Sequence, residues 1–455
     1  VAAFFALVAS SAFAHVPVVY VTTSEEDWCG VIEQALGGDI IMLAPGTYTG
    51  PCVIVGKVSD PIGENTTVQS LDPTNPAVLV AGEGDHVLSV SGVRLVLFEL
   101  TFAGLPPGVD AIHLGDADDV WVRYSAFEGV GGAAVRQTGD LVDVIVENNT
   151  FTDGGALAVF GCDGTCTTAT ALVEDNFVEA AGEGITLSAP SVATVRDNVL
   201  LGIAGTGIRV SGGDAVVEGN LVESAATGVE VTAGPALVRS QILVAPTGIV
   251  ADGSGGSVRI TGNTIVGTGG EPLVLDGWVA GAGHRLADNA IEGPIPDTHG
   301  AETTGNVSCV PAEVCFTDAA AWDFYPLPGS LLRGAGTVDG ELLSDWCGKP
   351  RQDPPTPGAF EAFGDLSYGA VPRTAKDAVT CAALTPPPPE PDDTDPPVGA
   401  GPDPDAVPTG DEATCRCSAS PAGGVWAGLL ALVAVVRTRA RTSTRRRGRW
   451  GRPSR

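Results

Sequence analysis

The chain of 455 residues carries 24 Lys and Arg against 55 Asp and Glu, a formal net charge of −31, with 61 glycines and only 5% aromatic residues. Nine arginines lie from Arg437 onward and no acid does, so the rest of the chain stands near −40 (−31 − 9). Such a body excludes nucleic acid and acidic membrane faces as partners and suits calcium, high salt or extracellular surroundings; a polyanionic sugar chain would need a cation to mediate. The glycine excess and scarce aromatics suit tight turns and small rungs.

Residues 1–14 end in Ala12-Phe-Ala14 and read as the back half of a secretory signal, with a short apolar core and a small-x-small cleavage site. Val18 to Val21 predict a first strand. Ser24-Glu-Glu-Asp27 predicts a helix start, with Ser24 as N-cap and Asp27 three residues on. Trp28, Val31, Ile32, Ala35 and Leu36 then form one apolar stripe. A short amphipathic helix here would cover the open end of whatever follows. Val53 to Val55, Thr67 to Ser70 and Val78 to Val80 predict further strands, with 56–66 a polar loop.

From residue 97 to 291 the chain repeats. Val195-Arg-Asp-Asn198-Val-Leu200, Val217-Glu-Gly-Asn220-Leu-Val222, Val238-Arg-Ser-Gln241-Ile-Leu243 and Ile260-Thr-Gly-Asn263-Thr-Ile265 align with spacings of 22, 21 and 22 residues. Between them run Gly207-Ile208-Arg-Val210, Gly228-Val229-Glu-Val231 and Gly248-Ile249-Val-Ala251. Each repeat therefore holds at least two short strands divided by Gly-rich turns. A unit this small cannot bury its own apolar face and must stack on its neighbours, which makes a solenoid. The register extends to Asn149, Asn176 and Asn289. The residue two after the key position is always large and apolar, from Phe102, Phe127 and Phe151 to Ile291, and predicts an internal stack. Asn149, Asn176, Asn198, Asn220, Gln241, Asn263 and Asn289 read as a turn ladder, because Asn tolerates a left-handed backbone and its amide can bond to the next rung.

Charged residues also fall into columns. Arg123, Arg196 and Arg239 sit two before the turn residue and alternate with Glu147, Glu174 and Glu218, the pattern of cross-rung ion pairs. Asp116, Asp118 and Asp119 cluster in one turn, with Asp110 and His113 just before it. This is the local candidate for a calcium site or an acidic catalytic patch. His113 and His284 read as ordinary surface or loop residues. Coil length is uneven before residue 193 and again at 267–285, where Trp278 lies, and insertions collect on a binding face. Loops 103–119 and 153–170 would flank a cleft.

Residues 294–368 leave the period and predict a closing segment that folds back along the last coils and hides the final rung. Pro386 to Glu412 is Pro- and Asp-rich and predicts an acidic spacer. Cys415-Arg-Cys417 follows, then an apolar run over 421–436 and the arginine cluster, which predict a membrane segment with a cytoplasmic end. Ten cysteines fall in close pairs: Cys29 and Cys52, Cys162 and Cys166, Cys309 and Cys315, Cys347 and Cys381, Cys415 and Cys417. The first four pairs read as loop-stapling disulfides, with pairing taken from proximity alone.

Gly38-Asp39-Ile-Ile-Met-Leu-Ala-Pro-Gly-Thr-Tyr48, with the helix before it, closely resembles the first coil of secreted right-handed parallel β-helix proteins of the pectate-lyase-like superfamily, and the repeats continue the resemblance to about Ile295. The resemblance implies an all-β fold, a single right-handed parallel β-helix solenoid with an N-terminal α-helical cap. That superfamily contains pectate and alginate lyases and polygalacturonase-like hydrolases. A lyase needs a base, usually Arg or Lys, and a cation that neutralises a uronate carboxylate. A hydrolase needs paired carboxylates. Lys57, Lys349 and Lys376 all lie outside the repeats. Arg123, Arg196, Asp116 and Asp119 are the catalytic candidates, and Asp116, Asp118 and Asp119 the metal candidates. The paired aspartates and histidine of polygalacturonases are missing. Residues 414–455 closely resemble the C-terminal sorting tail of myxobacterial surface proteins, with Cys415 and Cys417 as the processing motif. These observations lead to an exported protein at an outer surface or membrane, non-catalytic, binding extracellular glycan or serving a structural role. The alternative is a calcium-assisted polysaccharide lyase or glycoside hydrolase.

Overall fold

The computed structural model describes residues 16–56, 65–161, 168–188, 190–337, 342–363 and 370–371. Among these, three parallel sheets of 13, 12 and 10 strands run the length of a solenoid. One coil shows the order: Leu95–Phe98 in the first sheet, Thr101–Leu105 in the second and Asp110–Leu114 in the third, before Ala117–Arg123 returns to the first. Each strand pairs in register with its equivalents one coil away, as Val120 does with Leu95 and Val144. Each coil thus has three strands, one more than the sequence pattern resolves. The ladder turn divides what reads as a single apolar run, because only one residue there leaves the extended conformation.

That residue is not the asparagine. The left-handed backbone falls one position earlier, at Glu99 (φ 55°), Tyr124 (51°), Asn148 (53°), Asp175 (54°), Asp197 (58°), Ser240 (53°) and Asp288 (53°), and at Gly219, Gly262 and Gly305. The ladder residue instead points inward. Asn176 donates its backbone N–H and its Nδ2 to Asn198 Oδ1 (3.1 and 2.9 Å), and Asn198 does the same to Asn220 Oδ1 (2.9 Å each). The chain of bonds runs from Ser125, which donates to Asn149, through Gln241 and Asn263 to Asn289 and then to Asn306. Every member from Asn149 to Asn289 is at most 1% exposed. Burial of so many polar groups is tolerated because each is hydrogen-bonded.

Inside the coils Phe102, Phe127, Phe151, Val178, Leu200, Val222, Leu243, Ile265 and Ile291 form one column without solvent exposure, with Phe102 and Phe127 stacked at 5.0 Å. The N-terminal helix spans Trp28–Gln34, and its N-cap is Asp27, whose side chain accepts from Gly30 N. The start therefore lies three residues beyond the expected Ser24. Trp28, Ile32 and Ala35 are buried against the first coil, and Cys29 is joined to Cys52 in the first strand of the third sheet. Leu36, placed on the same stripe from sequence, is 53% exposed.

The closing segment runs back along the coils, against their side. Cys309, Phe316, Phe324, Tyr325, Leu332, Trp346 and Phe360 form a second apolar cluster with Val199, Leu201, Leu221, Ile242, Val266 and Ala290. These last six belong to successive strands of the second sheet. The segment is a lateral strap along the outside of that sheet. Ala359 N donates to Thr264 Oγ1 (2.9 Å), and Gly358 N to the Asp288 carbonyl (2.8 Å). Cys309–Cys315 closes a short loop at its start. Trp278, expected in a groove, turns into the core cluster and stacks on His284 (4.8 Å).

No helix among the described residues is long and apolar enough to cross a membrane. The expected transmembrane segment, with the membrane partner and membrane-anchored localisation that went with it, finds no such helix among these residues. Residues 1–14, Cys162 and Cys166, Cys381, the acidic spacer, Cys415, Cys417 and the apolar run at 421–436 lie outside the described residues.

Candidate active site on the third sheet

The outer face of the third sheet carries one residue per coil at a given register. Ser89, His113 and Arg136 share such a row, and His86 pairs with Asp110 at the start of the same strands. Stacking therefore gathers side chains that are a full coil apart in sequence. Asp110 is the centre. It is 4% exposed and accepts from Ala133 N (2.5 Å), from His113 Nε2 (2.8 Å), and from Arg136 through both Nε (2.5 Å) and Nη2 (3.1 Å). Burial alone would raise the carboxyl pKa, but the bonds from His113, Arg136 and Ala133 outweigh it and hold Asp110 at about 2. The Gly131-Gly132 pair makes this approach achievable, since a Cβ on Gly132 would collide with Asp110 Oδ1.

An ionised carboxylate only accepts. The proton of the Asp110–His113 bond therefore sits on Nε2, which leaves Nδ1 as the nitrogen that carries the lone pair in the neutral tautomer. The His86 ring lies against that of His113, tilted by 34° with ring centres 4.6 Å apart. Its Nδ1 lies 2.7 Å from Asp85 Oδ1, and this bond lowers the pKa of the exposed Asp85. The other nitrogen, Nε2, is shielded from water and has no hydrogen-bond partner among the described residues. Arg136, with Nε and Nη2 on Asp110, keeps Nη1 for another acceptor. One face thus combines an oriented imidazole, a half-exposed guanidinium and a second imidazole.

Asp85, His86 and His113 can each offer a ligand atom within 4.8 Å of the others, so a cluster able to hold a cation is present on the surface. Its donor set is two nitrogens and a carboxylate. Calcium takes six to eight oxygens, so this cluster does not fit it.

The residues singled out from sequence lie elsewhere. Asp118 and Asp119 face Arg94 (3.8 and 3.4 Å), and Asp116 Oδ1 accepts from Asp140 N (2.8 Å). Asp116, Asp118 and Asp140 line an open depression of about 550 Å³ with Gly92, Leu141 and Ala169, past the opposite end of the third-sheet strands from Asp110. Arg123 and Arg196 stand on the first sheet, paired with Glu147 (2.8 Å) and Glu174 (2.5 Å). His113 is not an ordinary surface residue, nor is His284, which is 3% exposed and accepts from Val258 N through Nδ1. Asp85, His86 and Arg136 escaped sequence reading. The available signal was Asp110-x-x-His113 with a histidine one coil before and an arginine one coil after.

Residues 87–265 match the family described as the right handed beta helix region. The solenoid is a right-handed parallel β-helix. No curated protein matches the chain. Among solved structures it is similar to the pectate lyase Pel9A, at 14% identity over 77% of this chain and 97% of that one, with a TM-score of 0.41. It is similar to an alginate lyase from a Paenibacillus species, at 18% identity over 57% and 99%, with a TM-score of 0.39. A third is the A-module of the Azotobacter vinelandii mannuronan C-5 epimerase AlgE4, at 14% identity over 59% and 83%, with a TM-score of 0.41. These likenesses concern the fold. The expectation of a non-catalytic glycan-binding or structural protein rested on missing catalytic groups, and it is corrected by the Asp–His–Arg group gathered on the third sheet of this fold.

Proposed function

We propose that the chain is a polysaccharide lyase acting on uronate-containing glycan, with the third sheet as its active face. The observation that supports this most is Asp110, buried and ionised, holding His113 by Nε2 and Arg136 by two N–H groups at once. A uronate carboxylate makes the neighbouring C5–H weakly acidic. In this reading His113 Nδ1 removes that proton, oriented by Asp110 as a catalytic histidine is oriented by a carboxylate. Charge moves onto the substrate carboxylate, where the Arg136 guanidinium stabilises it. The C4–O bond then breaks, its electron pair leaves on oxygen, the C4–C5 double bond forms, and solvent protonates the leaving oxygen. Calcium, the cation expected from the resemblance, takes oxygen ligands, so its place in this reading is the depression lined by Asp116, Asp118 and Asp140 rather than the histidines.

The test incubates the full chain with polyuronides and follows the ultraviolet absorbance of unsaturated ends, alongside deuterium incorporation at C5 in heavy water. We expect unsaturated ends, and a loss of 10²-fold or more in rate for Asp110→Asn and Arg136→Met, on the order of a positioned general base. Circular dichroism and melting report whether each variant keeps its fold. Deuterium without unsaturated ends would make the enzyme an epimerase. Neither signal across pectate, alginate and glucuronan would sink the reading.

A further inference from the structure

The pair of adjacent imidazoles has more ligand capacity than a proton-transfer step uses. One base suffices for elimination, yet two rings and an exposed carboxylate converge. Two independent observations point to an ion. The first is His86 Nε2, shielded from water and without a partner among the described residues. A buried lone pair left so is costly and is relieved by a cation or a proton donor. The second is the bond from His113 Nε2 to the buried Asp110. Histidine ligands characteristically give their second nitrogen to a carboxylate, which fixes the ring and raises the basicity of the coordinating nitrogen. Asp110 is itself held by Arg136 and Ala133 N, so the support reaches one shell further out.

We propose that Asp85, His86 and His113 form a binding site for a first-row transition metal ion of the zinc class, and that the ion silences elimination when bound. Imidazole nitrogen with a single carboxylate suits zinc and its neighbours and not calcium or magnesium. Three protein ligands leave a position for water or a substrate oxygen. The silencing half rests on the reading of His113 as the base. That ring has one lone pair free of Asp110, and it cannot hold a metal and accept a proton together. Free metal would then set the fraction of active enzyme, and a chelator would raise activity rather than abolish it.

Full-length protein stripped with chelator is titrated with zinc by calorimetry, and with cobalt followed in the visible, for the unchanged chain and for His86→Gln, Asp85→Asn and His113→Gln. One ion per chain is expected, with cobalt bands of nitrogen ligation. His86→Gln and His113→Gln should weaken binding at least about tenfold, and Asp85→Asn should weaken it less. Millimolar calcium should not compete. No zinc binding, binding that His86→Gln leaves unchanged, or displacement by calcium would each overturn the site. Zinc bound as expected to a chain whose stripped form makes no unsaturated ends would leave the site standing and refute the lyase reading instead. Stripped protein that is active and stays active with zinc bound would overturn the silencing.

Discussion

Asn198 has no solvent exposure, and its amide serves four neighbours: it accepts from the Asn176 backbone and Asn176 Nδ2, and donates to the carbonyls of Val173 and Arg196 while also reaching Asn220. Replacing it by alanine strands buried donors on one side and acceptors on the other. With about 1–3 kcal/mol for each unsatisfied group and partial relaxation, Asn198→Ala should cost about 2–4 kcal/mol, read from urea unfolding. Hydrogen exchange should speed up first at the Asn176 N–H, whose acceptor is the lost Asn198 Oδ1. The same logic explains why the ladder was readable in sequence. A side chain that must meet its copy one coil away has to recur at the coil length. The candidate face on the third sheet carries no such constraint. His86, Asp110, His113 and Arg136 meet through stacking but are different residues, so no column of like letters betrays them.

The first sheet bears an outward row of charges in the order Arg123, Glu147, Glu174, Arg196, Glu218 and Arg239, each in register with the next. Signs alternate except where Glu147 meets Glu174. Burial and the Glu174 charge push the Glu147 pKa up against the opposing pull of Arg123. A carboxyl raised in the folded state costs stability as pH rises through its shifted value. Glu147→Gln should therefore stabilise the protein by a few tenths to about 1 kcal/mol at pH 7, and the gain should vanish below pH 4, where both forms are neutral. A chemical melt at the two pH values checks it. At the level of elements, the sequence showed strands wherever an apolar alternation ran unbroken, and it hid the division between first and second sheets because the turn needs only one left-handed residue. The strap was readable as a departure from the period that returns along the last coils, but not as to which sheet it covers. An apolar segment says that it is covered, and not by which face.

At the scale of the molecule, the body of charge near −40 would face the proposed polyuronide substrate with the same sign. Repulsion acts over the Debye length, about 10 Å at 0.1 M salt and about 30 Å at 0.01 M. Raising salt across that range should lower KM for a polyuronide with little change in kcat, the reverse of a steered encounter between opposite charges. Initial rates on pectate or alginate at three salt concentrations decide it, and a KM that rises with salt would contradict it.

The lateral strap bears on how such a chain can grow by duplication. Its aromatic groups Phe316, Phe324, Trp346 and Phe360 are matched to particular coils between Val199 and Ala290. A coil duplicated ahead of residue 177 lengthens the solenoid and leaves every strap contact in register. A coil duplicated between 199 and 290 displaces the far half of the docking surface by one strand spacing, about 4.8 Å, and sets each aromatic against the wrong rung. The chain therefore has a portion free to gain or lose whole coils, where the Asp110 group lies, and a portion whose coil number is fixed by a segment that is not part of the repeat at all.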